Sequence, residues 1–414
     1  MVGKNINKNI GVGLTVIICT LVSLLISLTT FAANSEKVKI GFVFGITGPY
    51  ATYGVPMRDA MNWALKEINS KGGFEVKGEN YLLDVIYYDH ASKPELEGPT
   101  LIKKALYSDR VPLLLLGGSP VTRVALPWLE REKTPTVVIL AGMIGVAERS
   151  PFLFRIRPDA TQCAPPLATY FVKELGAKRI ALIGADTDFG RDSGRMWKET
   201  TERLGGEIIS EEWYVPGKVE DFYPILSKVK ALNPDAVYIA GTTQQNALVY
   251  KQAYEVGLDV LKGGYTGMTP EQARDLIGTN YDEVMETVYE SRGVDPGVHP
   301  DKKVREWYQE FKRKFGYYPA DLTMWAWDAP FLAIQAFKRA GSVTDKEKIR
   351  EALAELTIPS EAITPYRDMG DNKLFDENGQ AYSLAVVLKW KDKEWLPLKY
   401  YSVVKGEIEE AKVS

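Results

Sequence analysis

The stretch Ile40-Gly41-Phe42-Val43-Phe44-Gly45-Ile46-Thr47-Gly48-Pro49-Tyr50-Ala51-Thr52-Tyr53-Gly54 decides the reading of this chain. The apolar run to Phe44 predicts a buried strand. Gly45 and Gly48-Pro49 predict a turn, and a polar, aromatic tip leads into a helix from about Pro56. A loop at the carboxyl end of a strand is where open parallel sheets bind ligands. The loop is therefore expected to form one wall of a cleft, with the rest of the chain supplying the other walls and a hinge.

The same grammar continues outward. Strands are predicted at 38–44, 81–88, 111–116 and 136–140, and helices at 57–69, 94–107 and 121–132. Continuous apolar strands alternating with helices indicate a parallel sheet covered on both faces. After Pro158 the pattern restarts. Strands are expected at 179–183, 207–214, 236–240 and 260–265, with helices at 162–175, 192–204, 221–232 and 243–256. The two units share architecture and no detectable repeat of residues. A third section carries a strand at 284–290, helices at 302–315, 321–340 and 345–356, then β-like stretches at 363–375 and 382–390 around an Asn378-Gly379 turn. These are too few for a third domain and are expected to complete the first two.

Composition narrows the function. The 414 residues are 45% hydrophobic and 25% charged, which is ordinary globular usage with room for two or three cores. The formal charge is −3, and residues 1–33 hold two lysines (Lys4, Lys8) and no acid, so removing them leaves −5. No basic block points to nucleic acid. Lys4 and Lys8 precede an apolar run from Ile10 to Phe31 that ends in Thr30-Phe31-Ala32-Ala33. Residues 1–33 are read as a secretory signal peptide with cleavage after Ala32; an uncleaved anchor is the alternative, since the run is long enough to span a bilayer. A processed chain keeps one cysteine, Cys163, and cannot form an internal disulfide.

Signatures of catalysis are absent. There is no Gly-x-Ser-x-Gly, Walker A, His-Glu-x-x-His or Cys-x-x-Cys pattern, and His90 and His299 are the only histidines. Asp186 and Asp188 are better read as acids of a helix start than as a metal pair. Small and polar residues recur instead at strand ends: Thr47–Tyr53, Ser119, Ala141-Gly142, Asp188-Phe189, Gly241-Thr242-Thr243 and Tyr265-Thr266-Gly267. Ser119 stands just before a helix and either caps it or holds a carboxylate beside free N–H groups. Tyr50, Tyr53, Phe189 and Tyr265 could line an apolar pocket. Trp325 and Trp327 cannot share a helix face, so one belongs to the core and the other is free to reach the cleft.

Taken together, these stretches resemble periplasmic solute-binding proteins of the Leu/Ile/Val-binding type, the receptors of ABC importers. The matching segments are Ile46–Gly54, Ile68-Asn69-Ser70-Lys71-Gly72-Gly73, Gly118-Ser119, Phe189-Gly190, Asn233-Pro234-Asp235-Ala236-Val237-Tyr238 and Gln252–Leu258. Trp327-Asp328-Ala329 and Phe375-Asp376-Glu377-Asn378-Gly379 complete the set. The resemblance implies an α/β fold of two doubly wound lobes with parallel sheets, joined by a three-stranded hinge and closing on a small solute. Lobe one would hold 38–157 and 291–360, and lobe two 158–290 and 361–414. By position the ligand-binding residues would be Tyr53, Ser119, Ala141 and Met143 from lobe one, with Phe189, Thr242 and Thr266 from lobe two. No cofactor, metal or catalytic residue is implied.

The implied function is capture of a small amino acid or related carboxylate-bearing solute, branched-chain or otherwise apolar, by an exported monomer that delivers it to ABC permease subunits. The sequence departs from the family in two places. Thr266 stands where an acid would hold the ligand ammonium, and an ammonium buried without a charged partner is costly; Asp188 and Glu271 are candidate substitutes that the spacing does not place there. Ala91 and Gly118 lie near where the family's early disulfide would fall. An aromatic or aliphatic carboxylate or an amide without an amine is thus an alternative solute. A sensory module of the same fold and an enzyme are further alternatives; the chain shows no nucleophile–base pair for the latter.

Overall fold

The computed structural model describes residues 36–293 and 295–412. Residues 1–33, read from the sequence as a signal peptide, lie outside the described residues. Two sheets organise the rest. The first holds β1 (Glu36–Phe44), β2 (Phe74–Val76), β3 (Glu79–Asp89), β4 (Leu114–Leu116), β5 (Thr136–Val138) and β6 (Leu153–Arg155) in the order β2-β3-β1-β4-β5-β6. Only β2 is antiparallel to its neighbour. Strand β1 alternates at its start and is buried throughout from Ile40 to Phe44, as expected for a central strand covered on both faces.

The second sheet holds β7 (Arg179–Ala185), β8 (Glu207–Tyr214), β9 (Ala236–Ala240), β10 (Leu261–Gly264), β11 (Val288–Arg292), β12 (Leu384–Lys391), β13 (Glu394–Val404) and β14 (Glu407–Glu410). Its order is β14-β13-β12-β11-β10-β9-β7-β8, parallel from β8 to β11 and antiparallel beyond. Chain order reverses at β1/β4 in the first sheet and at β7/β9 in the second. These are the switch points at whose carboxyl ends a crevice opens.

Each lobe buries its own apolar clusters. One packs β1 and β3 against the helices Ala51–Ser70 and Leu322–Ala340; another fills the second sheet with Ile183, Ile239, Val288 and Trp390. The late helices thus return to the first lobe, and the chain crosses between lobes after β6, after β11 and before β12. Tyr366, Leu374, Phe375 and Ala381 also belong to the first core, so 363–381 packs with lobe one although the sequence reading gave 361–414 to lobe two. The first and third crossings touch. Arg155 and Ala381 exchange backbone bonds with one another's neighbourhood (Arg155 N–H to the Gly379 carbonyl and Ala381 N–H to the Arg155 carbonyl, both 2.8 Å).

Several expected elements differ. Val284 lies in the short helix Tyr281–Met285, and the strand begins only at Val288. The stretch 363–375 makes isolated bridges rather than a strand. Strands β13 and β14 carry little apolar alternation, because their outer faces are exposed. Both tryptophans are interior: Trp325 is in the first core, and Trp327 packs with Trp63 and Trp307 in a separate aromatic cluster. Neither lines the cleft. No helix among the described residues is long and apolar enough to cross a membrane.

Candidate functional site

The two switch points face one another across a cavity of about 400 Å3. Its first wall is the loop after β1. Asp89 holds that loop, accepting the Ile46 N–H at 2.9 Å and the Thr47 hydroxyl at 2.6 Å, while Ser92 Oγ takes the Tyr50 N–H at 2.9 Å. The helix that follows approaches the loop so closely that a Cβ on Gly54 would sit 2.2 Å from the Gly45 carbonyl oxygen. The second lobe repeats the device, since a Cβ on Gly190 would meet the Ala185 carbonyl oxygen at 2.1 Å. Both glycines let a helix N-terminus lie against the end of its strand, which brings the first-turn residues to the cleft.

Five of the seven sequence-predicted residues line the cavity: Tyr53, Ser119, Phe189, Thr242 and Thr266. Ala141 and Met143 do not. They are buried in the core beneath, and Leu140 and Gly142 line the cavity in their place. Strand β5 ends at Val138 and the chain bends at Ile139 and Leu140, so the residues facing the cleft are not set by the strand's alternation. Ser119 is not a cap: Gly118 occupies that position, Ser119 is the first residue of the helix Ser119–Arg131, and its Oγ accepts the Met143 N–H at 3.3 Å. That leaves the hydroxyl proton for another partner.

The lobes are in contact. Tyr53 Oη accepts the Thr243 N–H at 3.0 Å, and the Gln244 side-chain amide donates to Thr52 Oγ1 at 3.1 Å. Lys312 and Glu271 pair across the lobes at 2.9 Å, and Arg123 and Asp188 at 3.4 Å. Gly142 has Arg157 on one side and Phe189 of the other lobe on the other, each 2.5 Å from where a Cβ would be. The two acids considered for an ammonium, Asp188 and Glu271, are therefore already paired. Behind Thr266, Glu290 accepts its hydroxyl, but Glu290 is fully buried and bound to Arg292.

The charged residue the sequence reading missed is Arg157, in the first crossing between lobes. It lines the cavity and is 4% exposed. Its guanidinium lies over Tyr265 at 5.0 Å and Phe189 at 5.8 Å, and its Nε has no hydrogen-bond partner. It makes no ion pair among the described residues. Phe152–Arg157 alternates two arginines with apolar residues in a buried strand, a pattern that could have signalled it. Asp321, at the start of the helix Leu322–Ala340, was also missed. Burial pushes its carboxyl up to about 7, against the pull of Arg292 and Arg157, and its Oδ2 has no partner. His90 in the cavity wall is held below its usual value by burial. Among the described residues no cluster of His, Cys, Asp or Glu could hold a metal.

Residues 37–394 match the family described as periplasmic binding protein. The chain belongs to that family. A Leu/Ile/Val-binding protein homolog of Brucella suis is 22% identical to this binding protein over 337 residues, covering 79% of this chain and 82% of the relative. The leucine-, isoleucine-, valine-, threonine-, and alanine-binding protein of Pseudomonas aeruginosa is 24% identical, covering 84% and 88%. Among solved structures, the leucine binding protein LivK of Thermotoga maritima has a TM-score of 0.76 at 24% identity, covering 88% of this chain and 98% of that one. A solute binding protein of Rhodopseudomonas palustris BisB5 in complex with 3,4-dihydroxy benzoic acid has a TM-score of 0.77 at 23% identity, covering 89% and 98%. The type I periplasmic binding protein fold is thereby established, and the chain is a periplasmic binding protein, as the relatives named here are binding proteins.

Proposed function

We propose that this protein is the exported receptor of an ABC importer, and that its cleft closes on a small aromatic or apolar carboxylate, which it presents to the permease subunits. The observation that carries the solute class is Arg157. A cation buried among aromatic rings with no salt bridge among the described residues, and only the longer-range pull of Asp321, is costly unless an anion joins it. A carboxylate beside it would gain charge-assisted bonds from the guanidinium and a further bond from the Ser119 hydroxyl. Phe44, Tyr50, Tyr53, Phe189 and Tyr265 supply apolar walls for the body of the solute. The ABC-importer role rests on family membership, and export on the N-terminal signal.

A second reading, an apolar α-amino acid, is supported by Asp321. Its carboxylate has an unpartnered oxygen, whereas Asp188 in the cavity wall is already paired with Arg123; Asp321 itself is not among the cavity-lining residues. Thermal shift with aryl carboxylates, aliphatic carboxylates and apolar amino acids separates the two. A specific ligand raises the melting temperature by mass action. Shifts from benzoate-type anions and none from leucine, isoleucine or valine are expected; the reverse pattern establishes the second reading, and no shift with any class refutes both.

A further inference from the structure

A second groove, of about 540 Å3, lies between the lobes and shares no lining residue with the cleft. Lobe one contributes Ile144, Glu148 and Asn378; lobe two contributes Gln162, Met196 and Arg203. Hinge residues line it too, and they satisfy one another: Arg155 pairs with Asp159 at 2.5 Å and donates to Gln380 and to the Met143 carbonyl. Gln162 is different. It is 2% exposed, yet its Oε1 has no hydrogen-bond partner. Such an orphaned buried acceptor is uncommon in folded proteins.

Two charges of opposite sign in this groove also make no ion pair among the described residues. They are Glu148 of lobe one and Arg203 of lobe two. Their charged neighbours are engaged, Glu377 with Lys405 at 2.7 Å and Glu199 with Arg195 at 3.6 Å. An exposed anion from one lobe, an exposed cation from the other and an orphaned buried amide thus line one groove.

We propose that this groove is a second ligand site, and that it takes a small zwitterion carrying an ammonium and a carboxylate, such as a free α-amino acid. The ammonium goes to Glu148 and Gln162 Oε1, and the carboxylate to Arg203. Because the charged partners come from opposite lobes, the ligand bridges them and favours the closed arrangement that Tyr53 and Thr243 also hold. By linkage, occupancy of either site tightens the other.

Isothermal titration of the full chain with each standard L-amino acid tests this, using the native protein, Arg157→Met and the Glu148→Ala/Arg203→Ala pair. At least one amino acid is expected to bind the native chain, to bind Arg157→Met with unchanged affinity, and to bind the pair variant at least tenfold more weakly. Both groove positions are exposed, so the pair variant keeps its fold. If Arg157→Met does not fold, Gln162→Leu replaces it, since it alters the groove and leaves every cleft residue in place; weakened binding there supports the site. The proposal is overturned if no amino acid binds, if the groove variants bind as tightly as the native chain, or if a folded Arg157→Met loses the binding.

Discussion

The hydroxyl of Tyr53 in the first lobe accepts the backbone N–H of Thr243 in the second at 3.0 Å, with Thr243 Oγ1 also 3.0 Å away. The two residues are 190 positions apart. One side chain therefore answers a free N–H at the start of the helix Thr243–Glu255 and closes the wall of the cleft. The contact exists only while the lobes are together. Tyr53→Phe removes it without changing the ring that packs against the first core. With a net bond contributing about 0.5–1.5 kcal/mol, ligand affinity should fall roughly three- to tenfold, mainly through faster release. Stopped-flow dissociation and melting curves check this; an unchanged release rate would mean that closure does not depend on the contact.

Gly142 tests the closed geometry from the other side. A methyl group there would stand 2.5 Å from both Arg157 Nη1 and Phe189 Cδ2. Gly142→Ala should leave each lobe's fold intact and hold the lobes apart. Affinity for the cleft ligand is expected to drop at least tenfold, with a larger radius of gyration in small-angle scattering. A native radius at saturating ligand would show that Phe189 moves aside without cost.

Much of this architecture was legible because it rests on local chemistry. The loop Gly45–Tyr53 and the strand-end positions of Ser119, Phe189, Thr242 and Thr266 follow from apolar periodicity and glycine placement, and the return of the late helices from their being too few for a domain of their own. Ala141 and Met143 were misplaced because the chain bends just beyond β5, where periodicity no longer tells which side chains face the cleft. Arg157 and Asp321 were illegible for a different reason. Each gains meaning only from partners in other segments: Tyr265 and Phe189 for the first, Gly267 and Arg292 for the second. The strands β13 and β14 escaped notice because their exposed faces carry mixed, largely polar residues.

Asp321 predicts a pH dependence. Its folded carboxyl titrates at about 7, above the ordinary 3.8, chiefly through burial; Arg292 and Arg157 lower it and Asp295 raises it. The folded state therefore binds more protons than the unfolded one between these values, and stability from this group is lost as pH rises from about 4 through 7. Asp321→Asn should melt higher than the native chain at neutral pH. The difference should be small at pH 4, grow towards pH 7 and then level off. A difference independent of pH would assign the effect to packing.

Ser119→Ala separates anchoring from architecture. The Oγ accepts one N–H, from Met143, and its proton remains for a ligand oxygen. Loss of a hydrogen bond to a charged group costs about 1.5–3 kcal/mol, and to a neutral one about 0.5–1.5 kcal/mol. A carboxylate ligand should thus weaken more than its primary amide. Equal losses measured by titration calorimetry would confine Ser119 to positioning the Met143 backbone.

The central claim is that Arg157 selects an anion, and titration of native and Arg157→Met protein with matched aryl carboxylate and aryl amide ligands tests it most directly. Charge-assisted bonds of about 1.5–3 kcal/mol correspond to roughly ten- to a hundredfold in affinity. The native protein should bind the carboxylate, and Arg157→Met should lose that factor for the carboxylate while changing little for the amide. The unliganded variant should melt no lower than the native chain, because the buried cation is gone. Equal affinity of the two proteins for the carboxylate would contradict the account.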